Sequence, residues 1–237
     1  MTNSRFEILM QGFPARSPRG FLGWSTIVLL NTVKGYALFD TGGSGDRPGL
    51  MAALAERGIE RDDIGTVVLS HLHFDHMANA ECFPKAEIIL HEDEYVYVQD
   101  NGCNDPAVSV FQVEGLLRSA QLSLVSGELE VLPGIKMIRT PGHSGGHVSL
   151  VMNVDGQRVV LAQDAVKHRG ELASGISVGA FDEAAANASI RRIAEMADLV
   201  VPGHDGPIRI TNGKQLASGV STEISLTLCE RSYVLSA

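Results

Sequence analysis

The stretch Thr66-Val67-Val68-Leu69-Ser70-His71-Leu72-His73-Phe74-Asp75-His76 delivers three imidazoles and a carboxylate from the end of one apolar run. Thr66 to Leu69 is β-branched and apolar, as a buried strand requires, and the polar cluster begins where that strand should end. On an extended backbone His71 and His73 point the same way, because side chains alternate faces with a period of two, so the pair can grip one cation. Asp75 and His76 follow at once, and a turn there aims them at a second position close to the first. Core packing or a solvated loop accounts poorly for such a density, since every buried imidazole or carboxylate needs its own partner. Neutral histidine and carboxylate are also the ligands that suit zinc in an open hydrolytic site.

The chain around this stretch has 237 residues, enough for one sizeable α/β domain or two smaller ones. No internal repeat or low-complexity tract divides it, so a single domain over residues 1–237 is the simplest expectation. A formal charge of −9 gives no overall attraction for phosphate backbones or anionic membranes, which does not favour a nucleic-acid partner, although a local basic patch stays open. No run of about 18 uninterrupted apolar residues predicts a membrane-spanning helix. The start, MTNSRFEILMQGF, lacks the apolar core of a secretory signal, and the expectation is a cytoplasmic protein. Cys82, Cys103 and Cys229 are odd in number and widely spaced, which argues for ordinary thiols rather than a disulfide framework.

Strands are expected over Phe6–Gln11, Ser25–Asn31 and Tyr36–Phe39, with a Gly/Pro/Arg loop from Gly12 to Gly23. That loop carries Phe13 and Phe21, with Trp24 just beyond, and these aromatics either wall a site or tuck back onto the core. Asp40, at a strand end before Thr41-Gly42-Gly43, is expected to support a ligand or a turn rather than to bind metal itself. Asp46 is expected to cap a helix with Pro48 in its first turn and Leu50, Met51, Leu54 and Ala55 on one stripe. Ala86–His91 is a further strand, with His91 read as a surface residue beside Glu92, Asp93 and Glu94. In the segment 99–120, Asp105-Pro106 offers a helix start and the whole reads as a substrate-shaping insertion. Gly134–Arg139 follows as a strand, then Val148–Val154 and Arg158–Ala162 flank Asp155-Gly156, a hairpin signal. Asp182 caps a helix with Ile190, Ile193, Ala194 and Ala197 on one face, and Leu199–Val201 leads into Pro202-Gly203-His204.

His143, Asp164 and His204 repeat one grammar: each follows an apolar run at the point where a strand should meet a loop. Rigid strands fix donor atoms while loops leave an open position for substrate. With His71-x-His73-x-Asp75-His76 in front, His143 after Thr-Pro-Gly, Asp164 after a strand and His204 in Val-Pro-Gly-His, the chain resembles the metallo-β-lactamase superfamily through most of its length. The resemblance implies an αββα sandwich of two mixed sheets between outer helices, with the site at the sandwich edge. It implies one metal ion on His71, His73 and His143, a second on Asp75, His76 and His204, and Asp164 as the bridge between them. Asp40 matches an acid that is structural in the family, and His147 and His168 match no ligand position.

Two divalent cations make a nucleophile of water at neutral pH and polarise the bond under attack, so metal-assisted hydrolysis of a small molecule follows, with Asp75 orienting the water and shuttling a proton. Diiron members of the superfamily carry Glu where this chain has His73, so two zinc ions are expected. Glyoxalase II thioesterases carry a helical extension, whereas 33 residues follow His204 here. The segment from Ser70 to Tyr95 resembles the N-acyl homoserine lactonases, which place Tyr three residues after the bridging acid where this chain has Lys167. LFDTGG and TVVLSHLHFDHMAN, followed by CFPKAEI, also resemble animal single-domain metallo-β-lactamase-domain-containing proteins, which imply RNA hydrolysis. The expectation is a dinuclear zinc hydrolase of a lactone or small ester, with phosphodiester or thioester hydrolysis as alternatives and a homodimer left open. A binding protein with purely structural zinc fits less well, because structural sites are closed by four protein ligands.

Overall fold

Short apolar runs punctuated by glycine turns build two sheets that pack face to face under helices on both outer surfaces. A computed structural model describes residues 4–211, 214–215, 223–228 and 231–236, so Cys229 lies outside the described residues. In chain order come β1 (Arg5–Met10), β2 (Arg16–Ser17), β3 (Gly20–Phe21), β4 (Ile27–Thr32), β5 (Gly35–Phe39), α1 (Arg47–Ala55), β6 (Ile64–Val68), α2 (Phe74–Met77) and β7 (Glu87–His91). There follow α3 (Glu92–Asn101), α4 (Val110–Leu117), β8 (Leu122–Val125), β9 (Glu130–Leu132), β10 (Ile135–Arg139), β11 (Val148–Val154) and β12 (Gln157–Gln163). The remainder is α5 (Arg169–Ser174), α6 (Glu183–Met196), β13 (Leu199–Pro202), β14 (Ile208–Thr211), β15 (Lys214–Gln215), β16 (Glu223–Leu228) and β17 (Arg231–Ser236).

The first sheet has the order β1-β4-β5-β6-β7-β8 and the second β15-β14-β13-β12-β11-β10-β9; each mixes parallel and antiparallel pairs. Period-two alternation explains the layering. On β4 and β5, Val28, Leu30, Ala37 and Phe39 face Met137, Leu150, Val159 and Leu161 of the second sheet. Their neighbours Ile27, Leu29 and Leu38 face the other way, onto Leu50 and Leu54 of α1. On β12, Val160 and Ala162 turn outward onto Ile190 and Ile193 of α6. Both faces of each central strand are therefore buried, at roughly 1.5–3 kcal/mol per large apolar side chain. The result is an αββα sandwich.

Topology puts the chemistry on one edge. β5 and β6 run parallel, as do β12 and β13, so the chain leaves each pair in the same direction, at Asp40 and Ser70 in one sheet and at Asp164 and Gly203 in the other. Asp40 (φ 59°) and Gln163 (φ 46°) hold left-handed backbone at two of these exits, a conformation that costs non-glycine residues of order 1–3 kcal/mol. Asp155 (φ 49°) and Gly156 (φ 80°) form the tight turn between β11 and β12 that their sequence announces.

Several expectations need correction. Asp46 does not cap α1 with its side chain; its Oδ2 turns back to accept from the Gly43 amide at 2.8 Å. Pro48 does sit in the first turn, but Ala55 is exposed, so the buried stripe narrows to Leu50 and Leu54 with Met51 at its margin. His91 is not a surface residue: it is 1% exposed and caps α3, its Nδ1 accepting from the Asp93 amide. The acidic run beside it is the first turn of that helix, where carboxylates meet the positive end of the helix dipole. Asp105-Pro106 starts no helix, because Asp105 spends its carboxylate on other groups and α4 begins only after Ser109.

A charged strut ties α6 to the second sheet. Glu128 accepts from both terminal nitrogens of Arg192, at 2.6 and 3.0 Å, and from the Arg139 amide, which outweighs its partial burial and holds its pKa down to about 2. A depressed carboxylate stabilises the fold above its unfolded pKa and loses that contribution as pH falls from about 4.5 through 2. Because Arg192 is 41% exposed, screening limits the gain to about 1 kcal/mol. Glu128→Gln is expected to lower the melting temperature at pH 7, with the gap to wild type closing by about pH 2 in thermal scans; a gap constant with pH would refute the assignment.

Candidate metal centre

All seven candidate side chains converge at the sandwich edge. Two groups of donor atoms form there, His71 with His73 and His143, and Asp75 with His76 and His204; within each, the donors lie within 4.8 Å of one another. His73 Nδ1 and His143 Nε2 are 3.0 Å apart. Asp164 lies between the groups: its Oδ2 is 3.2 Å from His143 Nε2 and 3.3 Å from His204 Nε2, while Oδ1 is 3.4 Å from His76 Nε2.

Hydrogen bonds behind the rings decide which nitrogen faces inward. Ser70 Oγ donates to Asp40 Oδ2 at 2.6 Å and so accepts from His71 Nδ1 at 2.8 Å, leaving the His71 Nε2 lone pair free. His76 Nδ1 donates to the same Asp40 oxygen at 2.7 Å, and His204 Nδ1 donates to the Trp24 carbonyl at 2.9 Å. His73 is reversed, with Nε2 directed outward to Asp105 and Nδ1 inward. Outer partners of this kind fix the tautomer and orientation of metal-binding histidines. A third tight group, Asp40 with His71 and His76, is not a cation site in these terms, because both Asp40 oxygens are already engaged.

Charge and burial fit a cation. Among the described residues the buried atoms His71 Nε2, His76 Nε2 and Asp164 Oδ1 have no hydrogen-bond partner, a need that a cation between the two groups would meet. Burial, with the neighbouring imidazoles, holds His71 well below its ordinary pKa, and burial does the same to His143, so both offer lone pairs at neutral pH. Burial also opposes charge on His76 and His204, but the Asp164 and Asp75 carboxylates outweigh it and raise both. Burial would raise Asp164, yet His204, His76 and His143 keep it ionised. Protons on His76 and His204 are ones that a cation displaces on binding, so affinity rises with pH.

Close approach requires glycine at several points around the centre, Gly203 and Gly142 among them. A β-carbon at Gly203 would lie 1.9 Å from Asp164 Oδ1. At Gly142, in the turn before His143, φ is +130° and a β-carbon would meet the Ala186 amide at 2.1 Å.

Sequence reasoning missed the brace around this edge. Glu94 on α3 is fully buried and accepts from the Leu72 amide at 3.0 Å, Ser144 Oγ at 2.7 Å and the Gly146 amide at 3.0 Å. One carboxylate thus joins the loop of His71 and His73 to that of His143. Nothing in the run Glu92-Asp93-Glu94 marks which acid turns inward. Ser25 donates to the Asp75 carbonyl, and Thr26 Oγ1 donates to the Pro202 carbonyl at 2.7 Å, tying the N-terminal loop to both metal-edge loops.

A cavity of about 1080 Å³ opens on the centre, with His73, Asp75, His143, Asp164 and His204 in its lining. Phe13 and Phe21 wall one part of it and Ile176, Val178 and Phe181 another. Of the loop aromatics, Phe13 is buried against Trp24 while Phe21 stacks on Phe74 at the mouth, so the two alternatives for these residues both occur. Lys167 lines the cavity, but its ammonium is 3.0 Å from Glu171 Oε1 and 3.3 Å from both Ser177 Oγ and the Val178 carbonyl. Its donors already hold the 175–181 loop. His147 is buried behind His71, at 5.0 Å between ring centroids, and bonds Thr140; His168 caps α5.

Residues 20–204 match the sequence profile of the Metallo-beta-lactamase superfamily. The chain belongs to this superfamily.

Among its relatives, metallo-beta-lactamase domain-containing protein 1 of Mus musculus is 33% identical over 86% of this chain and 74% of its own. An N-acyl homoserine lactonase of a Bacillus species is 30% identical over 62% of this chain, which spans 58% of that enzyme's length. A crystal structure of a candidate metallo-beta-lactamase from Thermotoga maritima aligns with TM-score 0.71 over 88% of this chain and 100% of its own, at 23% identity, a likeness of fold. The protein is a metal-dependent hydrolase of the metallo-beta-lactamase superfamily with two clusters able to hold metal. No helix among the described residues is long and apolar enough to cross a membrane.

Proposed function

We propose that this superfamily member is a dinuclear zinc hydrolase acting on a lactone or another small carboxylic ester. The carrying observation is the Asp164 carboxylate, within 3.2–3.4 Å of ring nitrogens from both donor groups, which is where a bridging ligand must lie. His71, His73 and His143 would hold one ion and Asp75, His76 and His204 the other, with Asp164 shared. Three imidazoles in the first set favour zinc over harder cations. When bound, two zinc ions supply Lewis acidity and a water that ionises near neutral pH.

The protein's own groups do the rest. Asp75 lines the cavity with its side chain 6% exposed, and in this reading it would orient the attacking water and pass a proton to the leaving oxygen. The aromatic and aliphatic walls bury the substrate's body and exclude bulk water from the reacting carbonyl. Likeness to an N-acyl homoserine lactonase supports a lactone. Where those enzymes place Tyr, the Lys167 ammonium is occupied by Glu171, Ser177 and Val178, so here the acyl group depends on the walls rather than on that position.

A panel of lactones, carboxylic esters, thioesters, β-lactams and bis-(p-nitrophenyl) phosphate, run on the zinc-loaded enzyme and on Asp75→Ala, tests this reading. The expected result is lactone or ester turnover that falls about 10²–10⁴-fold in the variant. Turnover of the phosphodiester or thioester alone would replace the proposal with phosphodiesterase or thioesterase chemistry.

A further inference from the structure

The irregular segment of residues 102–109 carries an acid that reaches the centre. Asp105 Oδ2 is 2.9 Å from His73 Nε2 and accepts from Tyr97 Oη at 2.7 Å, while Oδ1 accepts from the Ala107 amide at 2.9 Å. The side chain is 15% exposed, and both its oxygens are committed. The segment is fastened to the ligand loop through the backbone as well: the Phe74 amide donates to the Ala107 carbonyl at 2.9 Å, and His73 forms an isolated bridge with Val108. Tyr97 in turn is fixed, its ring packed on Gly145 and edge-on to Phe181 at 4.8 Å.

We propose that Asp105, clamped by Tyr97, is the positioning residue for His73, so that the 102–109 segment sets cation affinity at the three-histidine group. His73 is the reversed member of the set, pointing Nδ1 at the centre. A neutral imidazole places its proton on either nitrogen, and only with the proton on Nε2 does Nδ1 present a lone pair. Asp105 accepts that Nε2 proton and selects this tautomer, as Asp40 does for His76 and the Trp24 carbonyl for His204. Its charge also complements that of a cation held on the opposite side of the ring. Among the described residues no other acceptor is bonded to His73 Nε2. This rests on His73 being a ligand of the proposed dinuclear centre.

Chelator competition with Zn²⁺, together with the visible spectrum of the Co²⁺ form, tests the proposal on the purified full chain as wild type, Asp105→Ala, Asp105→Asn and Tyr97→Phe. Wild type is expected to bind two ions. Asp105→Ala is expected to weaken one of them about 10–100-fold and leave the other unchanged. Asp105→Asn keeps an acceptor oxygen without the charge and should lose less, and Tyr97→Phe least of all. Circular dichroism melts of the metal-free proteins show whether Asp105→Ala folds; if it does not, the Asn variant decides. Wild-type affinity at both sites in the folded Asp105 variants would overturn the role given to Asp105. No binding by wild type would instead overturn the dinuclear reading on which it stands.

Discussion

Asp164→Ala is expected to purify with about one zinc or fewer and to lose about 10³-fold in kcat/KM, equivalent to about 4 kcal/mol of transition-state stabilisation. The size follows from what this carboxylate faces. Its two oxygens lie 3.2–3.4 Å from His76, His143 and His204, so its removal takes away the carboxylate shared by imidazoles of both donor groups. Substitution of Asp75, in contrast, touches one group. Asp164→Asn keeps the volume beside Gly203, where a β-carbon has no room, and separates the loss of charge from the loss of packing. Metal analysis and steady-state kinetics on the same preparations check this; two zinc per chain with wild-type turnover would contradict a bridging role.

Glu94→Ala is expected to destabilise the fold by about 3–5 kcal/mol, because it leaves the Leu72 amide, Ser144 hydroxyl and Gly146 amide without their acceptor in a dry interior. For a domain of this size that corresponds to a fall of roughly 6–20 °C in melting temperature. The metal-free protein should show the effect in full, since Glu94 reaches no candidate ligand atom and acts on the two ligand loops through Leu72, Ser144 and Gly146. Burial raises the Glu94 pKa while Ser144 Oγ and the Leu72 amide hold it down, so the carboxylate form is the one these donors favour. Glu94→Gln retains one acceptor oxygen and should cost less. Differential scanning calorimetry of the two variants gives the comparison, and a Glu94→Ala protein within about 1 kcal/mol of wild type would remove the brace from the account.

Much of the centre was legible because its residues obey a local rule. A titratable side chain within a few residues of the end of an apolar run marks a strand exit, and His71, His143, Asp164 and His204 all announce themselves in this way. The layers were legible for the same reason: alternation along Ile27 to Leu30 and along Val159 to Ala162 assigns each side chain to one of two opposite cores. What stayed hidden depends on long-range partners. Glu94 and Asp105 lie among other polar residues in segments whose composition suggests surface. Only the fold brings Glu94 to Ser144, 50 residues away in sequence, and Asp105 to His73, 32 residues away. His91 misled for a related reason, since a histidine before three acids has the composition of an exposed turn although here it is a buried residue that caps α3. Lys167 lines the cavity, and only the fold shows that the buried Glu171 four residues on takes its charge.

The most direct test of the dinuclear centre is metal stoichiometry. The full chain, stripped by chelator and reconstituted with Zn²⁺ at pH 7.5, should bind about two ions per chain by elemental analysis after desalting, with hydrolytic activity restored in proportion to binding. A protein that folds but retains one ion, or none, would contradict an Asp164 shared between two cations.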